Sequence, residues 1–134
     1  MLQKMRVLLL VCITVVLAAC GGGGGSDEAP NFAGTYQLST AVVSSNTCGT
    51  SVANIAGGQV GVTQNGRNLT WVEAGGSYPG TVDADNGGFT VTTSQSGVLI
   101  TVDMRSGGGN AYSAKLTATG ACTIVWTGTA VKTS

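Results

Sequence analysis

From Gly34 onward, apolar side chains recur at every second position, in short runs broken by glycine, asparagine and serine. That period of two predicts antiparallel strands with one wet face, and no segment shows a helical period. Gly34 to Val43 reads as a first strand with Tyr36, Leu38 and Val42 on one face. A longer connection, Ser44 to Gly58, follows, with a short helical turn expected around Val52 to Ile55. Gln59 to Gln64 alternates through Val60 and Val62, and Asn65-Gly66 is the expected two-residue turn, because that pair tolerates positive φ. Asn68 to Glu73 returns with Leu69 and Trp71 on one face. Ala74 to Ser77 breaks the chain before a strand from Tyr78 to Asp83, whose Pro79 belongs at a strand start or a sheet edge. Phe89 to Ser94, Val98 to Met104, Ala111 to Thr119 and Ala121 to Val131 complete the series. Eight such strands joined mainly by tight turns predict an all-β fold. An antiparallel up-and-down barrel is its natural closure, with a two-sheet β-sandwich as the alternative.

The N-terminus breaks this pattern. Val7 to Ala19 is apolar except for Thr14, and Lys4 and Arg6 precede it. A helix of that length reaches about 20 Å against a hydrocarbon core of about 30 Å, so the run reads as a signal peptide and not a spanning helix. It ends in Leu17-Ala18-Ala19-Cys20 and runs into Gly21-Gly22-Gly23-Gly24-Gly25-Ser26. The Leu-Ala-Ala-Cys sequence resembles the lipobox of bacterial lipoproteins. The resemblance implies removal of residues 1–19 and lipidation of Cys20, which would anchor the protein in a membrane; several acyl chains hold where one would be marginal. Residues 20–30 then form a flexible glycine-rich tether, and residues 31–134 the β domain. In the lipoproteins it resembles, an Asp after the lipidated Cys retains the protein at the inner membrane. Gly21 occupies that place here, which points to the outer membrane.

Four cysteines are present, and Cys12 leaves with the signal peptide. Cys20, Cys48 and Cys122 remain, an odd number for an oxidising compartment. If Cys20 is acylated, as the resemblance implies, Cys48 and Cys122 are left to pair. Barrel closure places the end of the first strand beside the start of the last, which also brings these two together. A sandwich could do the same.

Composition removes most chemistry. The chain has no histidine, so Ser-His-Asp, Cys-His and histidine-bearing zinc sites are excluded. After Cys20, four cationic side chains face six carboxylates, leaving no basic patch for nucleic acid. The glycine run lacks the Gly-Lys-Ser/Thr of a phosphate loop. Asp83 and Asp85 flank Ala84-Asp85-Asn86-Gly87-Gly88. That stretch reads as a hairpin turn, because the glutamate that would complete a calcium loop is absent. Asp103 is expected to face solvent, and Arg105 is read as a strand-end charge. No catalytic residue, metal site or cofactor is expected.

Tyr36, Trp71, Phe89, Tyr112 and Trp126 fall on the faces read as inward. They are candidates to line a ligand cavity. The plainer expectation is that they fill the interior, since an eight-stranded barrel is only just wide enough to be packed solid. The long first connection followed by short hairpins is similar to the lipocalin-type barrel, with Gly34-Thr35-Tyr36 standing where that family has Gly-x-Trp. A non-enzymatic envelope lipoprotein that works by binding or interaction is therefore expected. The resemblance also implies two narrower roles: a carrier of a small apolar ligand, or an inhibitor of an envelope or host hydrolase acting through the Ser44–Gly58 loop.

Overall fold

The computed structural model of the chain describes residues 28–134; the leader, Cys20 and the Gly21–Ser26 spacer lie outside the described residues. Nine strands follow in order: β1 (Gly34–Leu38), β2 (Val42–Asn46), β3 (Gln59–Asn65), β4 (Asn68–Glu73), β5 (Gly76–Val82), β6 (Gly88–Gln95), β7 (Val98–Gly108), β8 (Ala111–Thr119) and β9 (Thr123–Lys132). No helix occurs among the described residues. Every pairing is antiparallel, and neighbours follow chain order from β3 to β9. β1 lies between β3 and β9, which closes the sheet on itself. The result is an eight-stranded up-and-down barrel with β2 as an extra strand, and the sandwich alternative is set aside.

The expected first strand, Gly34 to Val43, is present but broken in two. Leu38 sits opposite Ala130 and Val42 opposite Thr127, so four residues along β1–β2 answer three along β9. The surplus forms a bulge at Ser39–Ala41 that presses on Gly128, where a Cβ would come within 3.1 Å of Ser39 Oγ and 3.3 Å of Ala41 Cα. The bulge turns Ala41 outward from the ladder. Its N–H and carbonyl pair instead with Ile55, at 2.8 and 2.9 Å. This bridge replaces the helical turn expected around Val52 to Ile55, because the backbone groups of Ile55 are taken by a partner distant in sequence.

Two other boundaries move for local reasons. The β3–β4 loop is Gly66-Arg67, one residue later than expected, with Asn65 opposite Asn68. Gly66 alone supplies the positive φ, at 61°. This shift frees Arg67 to bond the carbonyls of Val82 and Asp83 and, at 2.9 Å, Asn86 Oδ1. Pro79 lies inside β5, not at its start. It is tolerated because β5 pairs with β6 only from Gly80 to Val82, so the first half of β5 has no partner on that side.

The lower end of the barrel, where β1 begins, is packed solid. Tyr36, Phe89 and Met104 are fully buried there. Phe32, just before β1, folds in beneath them, with its ring centroid 5.4 Å from Phe89 and 6.3 Å from Tyr112. Gln64 holds this N-terminal strap: its Oε1 accepts from Phe32 N–H at 2.7 Å, and its Nε2 donates to the Pro30 carbonyl at 2.8 Å. At the upper end, Cys48 and Cys122 form a disulfide across the β2–β9 seam, with Cα atoms 5.0 Å apart. Thr47 N–H donates to the Thr123 carbonyl beside it.

Candidate functional site

The interior divides into two halves. Above the aromatic plug the side chains shorten, and a partly open cavity of about 510 Å³ remains. Its walls are mostly apolar: Val60 from β3, Val91 from β6, Ile100 and Val102 from β7, and Leu116 from β8. Alternation puts each of these on the inner face, and valine, alanine and glycine do not reach across a barrel of this width. The expectation of a wholly filled interior is thus corrected: large aromatics fill the lower half only. The volume lies within the range of about 300–1,000 Å³ common for small-molecule pockets.

The five aromatic candidates separate accordingly. Tyr36, Phe89 and Tyr112 belong to the plug, and none lines the cavity. Tyr36 and Tyr112 meet edge to face at 5.2 Å, and Tyr36 Oη donates to the Phe32 carbonyl at 2.7 Å. Burial first, and then the nearby Tyr112, push the Tyr36 phenol well above its ordinary value. Trp71 alone of the five lines the cavity, standing between it and Phe89 at a centroid distance of 6.5 Å. Trp126 is buried elsewhere: its indole N–H donates at 3.0 Å to the carbonyl of Ala53 in the 47–58 connection. That connection also contributes Ile55, Ala56 and Gly58 to one side of the cavity.

Trp71 is the one candidate in the lining, and Tyr78 and Glu73 are the further aromatic and carboxylate side chains there. Tyr78 sits opposite Trp71 across the β4–β5 hairpin, and Glu73, at the end of β4, continues the alternation of the buried Leu69 and Trp71 but is itself exposed, at the cavity rim. Both line the cavity. Glu73 Oε2 accepts from Trp71 Nε1 at 3.2 Å. The sequence carried a signal for its side of the sheet, since Glu73 continues the Leu69–Trp71 alternation, and its exposure is what a strand-end carboxylate implies. Phe32 was missed because it precedes the first alternating run.

The wall opens beside these residues. β6 is paired with β7 along its whole length, to Gln95 opposite Val98, whereas its pairing with β5 ends at Gly80–Val91. Thr93 and Gln95 of β6 and Tyr78 of β5 therefore face the cavity from two strands that have parted.

The charged residues form a separate cluster on the outer wall. Asp103 is partly buried and pairs with Lys115 at 3.4 Å, with its other oxygen 3.1 Å from Thr90 Oγ1. The 83–87 segment is the expected hairpin turn, and Arg105 clamps it through Asp85 at 2.7 and 2.9 Å. The Gly87 N–H and then the Arg105 guanidinium hold the exposed Asp85 carboxyl below its ordinary value. Arg105 also lies 3.6 Å from Asp83. These contacts make Arg105 a fastener of the lower turn rather than a loose strand-end charge. No group of three or more potential metal ligands occurs among the described residues.

Comparison with protein family models, with curated proteins and with solved structures gives no match to this chain.

Proposed function

We propose that the protein is an envelope lipoprotein, held at the outer membrane by lipid on Cys20, whose barrel binds a small apolar molecule. The observation that carries this reading is the apolar cavity above the aromatic plug. A packed barrel would offer only its outer surface, whereas this one keeps unfilled space behind Val91, Val102 and Leu116. The domain works by binding and carries out no covalent chemistry. The anchor and tether, read from residues 17–26, keep that cavity close to a source of apolar ligand.

The two tryptophans supply the test. A hydrophobic dye or lipid-like quencher should quench fluorescence saturably, and Trp71→Phe should remove the quenching while Trp126→Phe leaves it. Quenching that follows Trp126, or none at all, would sink the cavity reading.

A further inference from the structure

The cavity is mostly apolar, but its charge is one-sided. Glu73 is the one carboxylate lining it among the described residues. Lys115 also contributes to the lining, yet its ammonium lies 3.4 Å from Asp103 Oδ2 on the outer wall. No arginine lines the cavity. Glu73 is exposed at the cavity rim, where it accepts the Trp71 indole N–H, and Tyr78, which pairs with Trp71 across the hairpin, lines the same cavity. A carboxylate next to indole and phenol rings attracts a cation twice, through its charge and through the ring faces. The same group repels an anion and offers a neutral hydroxyl head only a hydrogen bond.

We propose that the ligand is an amphiphile with a cationic head, its apolar chain in the cavity and its head at Glu73, Trp71 and Tyr78. This rests on the cavity reading and narrows it to a ligand class. The indole N–H holds the Glu73 carboxylate beside Trp71. The parting of β5 from β6 lies on this same side, at Tyr78, which gives the head access to solvent while the chain is enclosed. A fatty-acid carrier would need the opposite polarity at this position.

Three probes with one chain length separate the possibilities: decyltrimethylammonium, decanol and decanoate. The full chain is held in neutral phosphatidylcholine vesicles, protein-free vesicles correct for partitioning, and the change in Trp71 emission as its surroundings are dehydrated reports binding. The ammonium should bind about tenfold more tightly than the alcohol, and decanoate should bind weakest. Glu73→Gln retains an acceptor for the Trp71 N–H. It should leave decanol binding in place and lower the ammonium-to-alcohol ratio severalfold, to the part that the rings supply. Equal binding of ammonium and alcohol, or a ratio unchanged by Glu73→Gln, would overturn the cationic-head assignment and leave the apolar cavity standing. Failure of all three probes to bind would overturn both.

Discussion

Tyr36 shows how much one buried side chain carries. It contacts Phe89 and Tyr112 through its ring and the Phe32 carbonyl through its hydroxyl, so it ties the N-terminal strap to the plug. Its phenol is held neutral above the ordinary 10.0, so the folded state retains a proton that the unfolded state releases. The raised value means that this stability is fully present below about pH 10 and is lost as pH rises further. Urea titrations should therefore show a fall in stability above pH 10 that is reduced in Tyr36→Phe. At neutral pH the same substitution should cost about 1 kcal/mol, for the lost hydrogen bond. An alkaline profile identical in the variant would remove Tyr36 as the cause.

At the scale of elements, the barrel depends on close approaches and on one weak seam. Gly88 begins β6 against β7, where an added Cβ would lie 1.9 Å from the Met104 carbonyl oxygen, a backbone atom that cannot swing aside. Gly88→Ala should thus destabilise by about 1–3 kcal/mol in thermal or urea unfolding, as overpacked sites do. The seam is weaker because β9 is shared: three residue pairs reach β1 and four reach β2, with two register shifts along the way. The disulfide lies at the upper end of that seam and spans 74 residues. Replacing Cys48 and Cys122 together by serine should cost about 4 kcal/mol in the chain-entropy account, read as a lower urea midpoint. A midpoint unchanged from wild type would show that the β1–β9 pairing holds the closure unaided.

Across the whole molecule, the two ends of the barrel do different work. The lower end is sealed by Phe32, Tyr36, Phe89 and Tyr112, whereas the upper end keeps a cavity flanked by the 47–58 connection. Proximity to a membrane would come from the other end of the chain. Cys20→Ser should abolish lipid labelling and leave an uncleaved precursor in a fractionated cell; labelling that persists would refute the lipobox assignment. Residue 28 enters the described structure only a few positions before Phe32, which is fixed under the barrel floor. The chain thus enters the barrel at its sealed end.

The eight-stranded barrel, its strand order and the faces of β3, β4 and β6 to β9 were legible in the sequence, but not the ninth strand, made by the break of Gly34–Val43 into β1 and β2. An alternation of apolar and polar residues commits each strand to one buried face, and tight turns leave little choice of neighbour. The Cys48–Cys122 pair was legible too, because closure places those segments side by side. What the alternation does not encode is how far each inward side chain reaches, or what meets it from across the barrel. Only the closed structure decided that Phe32 plugs one end, that Trp126 turns to Ala53, and that the break at Ser39–Ala41 faces Gly128. It also decided that small side chains coincide at one level, leaving a cavity with Glu73 among its lining residues. Local pattern sets which way a residue points; the volume left over is a sum over eight strands, and no single stretch of sequence contains it.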